Sequence, residues 1–191
     1  MKKQDLLARL RTNTHVQYDK PQLAVKGITY PDPIKQFADA TTASGGKVHT
    51  LSEGEDINDV IKRHYPTAMV IASNMPEIKI ANRNPDTVAD PADLNGTDVG
   101  VIRGTVAVAE NGCVWIPMDM KERAVCFICE DLVIIVDKRH VVNNMHEAYR
   151  KIEMPSTGLG GFISGPSKTA DIEQALVMGA QAARSALVIL I

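Results

Sequence analysis

The chain has 191 residues, 45% of them hydrophobic and 23% charged, and its 21 Lys and Arg against 23 Asp and Glu leave a formal net charge of −2. A chain of that length makes one substantial domain, burying about 70% of its extended surface on folding; the near balance of charge gives no general electrostatic drive toward nucleic acid or an acidic membrane. The three cysteines, Cys113, Cys126 and Cys129, sit in apolar sequence and are too few for a secreted disulfide framework.

In chain order, Met1-Lys2-Lys3 continues into Gln4-Asp5-Leu6-Leu7, which lacks the apolar run of an export signal. No later run is long enough to span a membrane, so cytoplasmic residence is expected. Residues 2–10 have the pattern of a short amphipathic helix, and Thr12-Asn13-Thr14-His15 with Asp19-Lys20-Pro21 reads as an extended arm; residues 1–33 form an N-terminal appendage to an α/β domain over 34–191. A helix begins at Pro33, whose fixed φ suits the first turn, and ends at Ser44-Gly45-Gly46. Lys47–Leu51 alternates as a strand, the spacing of Ile57, Val60, Ile61 and His64 predicts a helix, and Ala68–Ala72 supplies the next strand. Such a β-α-β succession favours an open, mostly parallel sheet flanked by helices.

Residues 73–98 are rich in Pro, Asn and Gly and assign no element. Short strands follow at 99–102, 106–108 and 113–116. Leu132–Val136 is apolar without alternation, the mark of a strand covered on both faces. Asn143-Asn144 starts a helix bearing His146, Glu147, Tyr149 and Arg150; Phe162-Ile163 is strand; Asp171 through Ala183, with its alanines, reads as helix; Ala186–Ile191 closes as strand.

Chemistry concentrates at two places. In Phe162-Ile163-Ser164-Gly165-Pro166-Ser167-Lys168-Thr169, a strand end runs into a glycine-containing turn, where an α/β protein places ligand sites. Ser167, Lys168 and Thr169 offer hydroxyls, an ammonium and adjacent amides to an anionic oxygen, while Asp171 either caps the helix expected after it or orients Lys168. The run lacks the GxxxxGK[ST] arrangement, which leaves ATP hydrolysis unsupported. The second place is Glu110-Asn111-Gly112, between two apolar runs, where a tight turn can hold Glu110 over a ligand as base, nucleophile or hydrogen-bond donor. Arg103 and Arg123 flank that segment and can each present a bidentate cation to a carboxylate or phosphate. Cys126 and Cys129 have redox-pair spacing with no second such pair, and the expectation is core packing; His140 and His146 form no metal motif, and no metal is assigned.

The stretch Ile163 through Glu173, together with Ala109-Glu110-Asn111-Gly112 and the final Val188-Ile189-Leu190, resembles the lactate utilization protein C family, also called the LUD domain or YkgG family. The resemblance implies a NagB/RpiA/CoA-transferase-like fold and participation in oxidising L-lactate to pyruvate with iron–sulfur partner proteins. It does not give the electron-transfer step to this chain, which carries no GxGxxG fingerprint, flavin constellation or cluster motif, so no resident cofactor is expected. A ligand-binding or assembly component is the expectation, with a small carboxylate, phosphate or CoA-containing molecule as ligand. The family turn is commonly Glu-Thr-Gly-Thr, from which Asn111 and Cys113 depart, and the family's Gly-Val-His-Gly-Pro is replaced by Gly179-Ala180-Gln181-Ala182-Ala183. Glu-Asn-Gly also resembles the nucleophile turn of class I CoA transferases, which implies acyl transfer through Glu110 as the enzymatic alternative; a small anionic-metabolite-binding protein without a lactate role is the other.

Overall fold

The structure, a computed structural model, describes residues 2–13, 25–156, 158–172 and 175–191, without the side chains at 170–172 and 175. Helix α1 (Lys3–Thr12) includes the Thr12 expected in the arm and buries none of its residues. Thr14, His15, Asp19, Lys20 and Pro21 lie outside the described residues.

Helix α2 (Pro33–Ala43) begins where proline chemistry places it: Asp32 is the N-cap and accepts from the Lys35 amide at 2.9 Å, with Pro33 in the first turn. It stops at Ser44 and Gly45, whose φ of 85° admits no ordinary side chain. Strand β1 (Lys47–Thr50) leads to helix α3 (Ile57–His64), capped by Asp56 on the Asn58 amide at 2.8 Å. Strand β2 is shorter than the apolar run suggests, only Ile71–Ala72. The Met69 and Val70 amides instead donate to the Asp98 carboxylate at 2.7 and 2.8 Å, which removes them from strand pairing. The unassigned region holds a 3-10 turn at Pro91–Leu94 capped by Asp90.

Two sheets organise the molecule. The first has the order β1, β11 (Ser185–Leu190), β6 (Asp131–Val136), β3 (Val99–Arg103), β2, and every pairing in it is parallel. The second has the order β7 (Val141–Val142), β4 (Val106–Val108), β5 (Cys113–Ile116), β8 (Gly161–Ile163), with β4 and β7 parallel and the other pairs antiparallel. The neighbours β3 and β6 in the first sheet continue as the neighbours β4 and β7 in the second. Gly104 is where β3 changes sheet: a Cβ there would run into Val114 Cγ1, so only glycine lets the chain turn so close to β5.

Alternation of side chains on the strands separates the cores. On one face of the parallel sheet Val99, Val101, Val133, Ile135, Leu187 and Ile189 pack with Val60 and Ile61 of α3. On the other, Ile102, Leu132, Ile134, Val188 and Leu190 meet Phe37 of α2, Val125 and Cys126 of α4 (Val125–Ile128), and Ala107, Val114 and Ile116 of the second sheet. The outer face of the second sheet, with Val108, Cys113, Trp115 and Val142, is covered by α5 (Met145–Lys151) through Ala148. Full burial of Leu132–Val136 accords with its unbroken apolar run, each such side chain contributing roughly 1.5–3 kcal/mol.

One expectation is corrected. The helix foreseen from Asp171 to Ala183 does not form: Lys168–Ile172 is strand β9 and Ala175–Met178 is strand β10, paired antiparallel, with Gly179 following at φ 76°. The backbone groups that a helix would use are engaged elsewhere, because Ser167 N–H donates to Ala183 O at 2.9 Å and Gly179 N–H donates to Ser167 O at 3.0 Å. These nonlocal bonds, with β-branched Thr169, Ile172 and Val177 on the strands, outweigh the helical preference of the alanines. Asp171 therefore caps no helix there.

Candidate functional site

The β4–β5 connection, residues 109–112, is the tight turn that carries Glu110. Gly112 has φ 67° and lies so close to α2 that a Cβ would sit 2.6 Å from the Thr41 amide nitrogen and 2.8 Å from the Ala40 carbonyl carbon. Asn111 folds its side chain back so that Oδ1 accepts from the Cys113 amide at 3.2 Å. That contact closes the turn locally.

Glu110 is exposed, and its carboxylate reaches the start of α5, where Oε2 accepts from the Met145 amide at 3.0 Å. Asn144 is the N-cap of that helix and accepts from Glu147 N–H at 3.0 Å, while Glu147 Oε2 accepts from Asn143 N–H at 2.9 Å. Glu110 thus satisfies one further amide at a helix start, a favourable place for a negative charge.

The bend that begins at Ser164 arrives at the same corner. Ser164 Oγ donates to Asn111 O at 3.0 Å, tying the two motifs together. Gly165, at φ 62°, passes Ser44 so closely that a Cβ would lie 2.6 Å from its carbonyl oxygen. Lys168 Nζ donates to the same Ser44 oxygen, placing a cation on the terminal carbonyl of α2. The Glu110 turn and the 164–168 bend therefore converge on the carboxyl end of α2, with Glu110 facing α5 and Lys168 facing α2.

Ser167 is half-buried with its amide and carbonyl both engaged, its hydroxyl makes no hydrogen bond among the described residues, and Thr169 is buried. The Asp171 side chain lies outside the described residues, as does Glu173. The arginines are elsewhere: Arg103, at the end of β3, pairs with Glu77, and Arg123 precedes α4; neither touches the Glu110 turn or the 164–169 bend among the described residues. Sequence reasoning missed Ser44 and Asn143-Asn144 as parts of this corner. Their caps were legible as turn and helix-start signals, but nothing local shows which loops they meet.

The cysteines are core residues. Burial raises the thiol of Cys126 to about 12 and those of Cys113 and Cys129 to about 11, so all three are protonated at neutral pH. Among the described residues no group of three His, Cys, Asp or Glu side chains is placed to hold a metal ion, and no helix is long and apolar enough to cross a membrane.

A family model described as the LUD domain matches residues 91–191, just over half of the chain and the whole of the segment that carries both motifs. The chain belongs to the LUD domain family. A protein named lactate utilization protein C from Shouchella clausii (strain KSM-K16) is 34% identical to it over 105 residues, 51% of this chain and 44% of that relative. The match thus spans less than half the length of that relative. The crystal structure of a DUF162 family protein from Deinococcus radiodurans superimposes with a TM-score of 0.65 over 86% of this chain and 99% of that one, at 14% identity, a likeness of fold. The LUD domain here is the mixed α/β architecture with its mostly parallel central sheet that the strand pattern predicts.

Proposed function

We propose that this LUD-domain chain serves lactate utilisation as a non-redox component, binding a small anionic metabolite or holding iron–sulfur partner proteins while those partners oxidise L-lactate to pyruvate. The observation that carries this reading is the likeness to the Shouchella clausii lactate utilization protein C over 105 residues, beside a LUD-domain match at 91–191 that contains both motifs. Residues 34–191 form the working unit, residues 1–33 its appendage. Ser167, the ammonium protons of Lys168 not directed at Ser44, and Thr169 are the groups we assign to an anionic ligand, with Asp171 orienting Lys168. Arg103 and Arg123 act at the ligand only if a partner protein brings it to them, because they sit apart from that corner.

An acyl-transfer reading is favoured by one feature, the exposed Glu110 carboxylate at a rigid turn. There the carboxylate would attack an acyl-CoA carbonyl, forming a mixed anhydride and releasing CoA thiolate, which then attacks the glutamyl carbonyl and releases the acid.

Two measurements separate these readings. Affinity isolation of the chain from its native cells is expected to bring iron–sulfur proteins with it, and deletion is expected to slow growth on lactate; no such partners and unchanged lactate use reject the first reading. Intact-mass measurement after incubation with acyl-CoAs tests the second, for which an adduct must appear in the unaltered chain and vanish in Glu110→Gln.

A further inference from the structure

One cleft lies away from the corner that holds Glu110. It has a volume of about 590 Å³ and is lined by Thr105, Val106, Pro117, Asp119, His140, Lys151, Glu153, Met154 and Pro155. Its place in the fold is informative. Thr105 follows β3 by two residues and His140 follows β6 by four, so the cleft opens at the carboxyl ends of two adjacent parallel strands as they pass into the second sheet. Crevices outside strand carboxyl ends are where open α/β sheets take ligands. The volume is within the range of small-molecule sites, roughly 300–1,000 Å³.

Three further observations concern the lining. Among the described residues, Asp119, His140, Lys151 and Glu153 make no side-chain hydrogen bond or ion pair, which leaves four polar side chains around one cleft open to a ligand. Between Pro117 and Asp119, Met118 is buried with φ 49°, a left-handed backbone at a residue with a side chain. Such strain gathers at functional positions. Trp115, the cross-strand partner of the cleft-lining Val106, has its indole N–H buried without an acceptor among the described residues. A buried donor without a partner is costly and uncommon in a finished core.

We propose that this cleft is a second ligand site, which takes an organic anion with an apolar body and its own hydrogen-bond donors. Val106, Pro117, Met154 and Pro155 receive the apolar body. Lys151 and His140 meet the carboxylate or phosphate of the ligand, and Asp119 and Glu153 accept from its hydroxyl or amino groups. Met118 holds the left-handed bend that turns the chain between the cleft residues on either side of it. The site is independent of the lactate role proposed above.

The test uses the whole chain and 8-anilinonaphthalene-1-sulfonate, which has an aromatic body, one sulfonate and one N–H. Trp115 is the sole tryptophan, so its fluorescence reports on this side of the second sheet. Saturable one-to-one quenching is expected, with the dissociation constant raised about ten-fold in Lys151→Ala, the loss expected for one charge-assisted contact. Met154→Ala, a change at an exposed position, is expected to weaken binding as well, while Lys62→Ala in α3, which lines no part of the cleft, leaves it within two-fold. Competition by phenylacetate and by phenyl phosphate separates a carboxylate preference from a phosphate one. Absence of saturable binding, or equal affinity in the unaltered chain, Lys151→Ala and Met154→Ala with unchanged circular dichroism, overturns the proposal.

Discussion

Gly112 shows how one residue decides where a carboxylate stands. Its left-handed φ and its approach to the α2 backbone act together: a side chain must adopt a strained backbone and also push apart two main-chain segments that have no room to move. Gly112→Ala is expected to destabilise the fold by about 2–4 kcal/mol in urea unfolding. Gly96→Ala is the comparison, since φ is 69° there and nothing lies within 4 Å of the added methyl; the backbone cost alone, about 1 kcal/mol, is expected. Equal losses in the two variants would show that Gly112 is not pressed against α2. The Glu-Asn-Gly run marks a turn from sequence alone, because Asn and Gly favour one. That Gly112 is a contact surface for a helix some seventy positions earlier has no local signal.

At the scale of elements, α5 is a short helix of 7 residues, too brief to stand on propensity alone, and it is defined by what gathers at its start. Asn144 caps it and also reaches the chain before α2, its Nδ2 donating to Ile28 O at 2.8 Å, while Asn143 Oδ1 accepts from Tyr30 N–H at 2.9 Å. Gly27 packs directly on the Asn144 amide. Asn144→Ala is expected to cost about 1–2 kcal/mol through loss of the cap and of the buried amide's partner. In hydrogen exchange the Glu147 amide, which loses its acceptor, is expected to lose protection while those of β6 do not; unchanged protection at Glu147 would show that the start of α5 is held without Asn144. The Asn-Asn pair is readable as a helix start, and α5 begins there. The segment 171–183 was misread for the opposite reason: its alanines speak locally for helix, whereas the bonds of Ser167 to Ala183 and Gly179 are set by the return of the chain toward β11.

The whole molecule has an acid-sensitive joint where the edge strand β1 meets α3. Glu55 accepts from His49 at 3.0 Å, from the Ser52 amide at 3.1 Å and from Arg63 at 3.1 Å, and these contacts, His49 foremost, lower its carboxyl from 4.5 to about 2. A carboxyl whose value is lower folded than unfolded adds stability that is complete above 4.5 and is lost as pH falls toward about 2. His64 has the same sign: burial lowers its value below 6.5, so protonation favours the unfolded chain from that pH downward. Unfolding midpoints are therefore expected to fall as pH drops from 7, with a further loss below 4.5 that is smaller in Glu55→Gln than in the unaltered chain. The same acid loss in both chains would remove Glu55 as its source. Apolar patterning was enough to determine the α/β class and the fully covered β6, and Pro33 and Asn143-Asn144 the starts of α2 and α5, because each depends on residues a few positions apart. The crossing of two sheets at Gly104, the meeting of the Glu110 turn with Ser164 and Lys168 at the end of α2, and the cleft between Thr105 and Pro155 were decided only by tertiary packing. Each joins residues tens of positions apart, whose contact is set by the fit of whole layers and leaves no period in the chain.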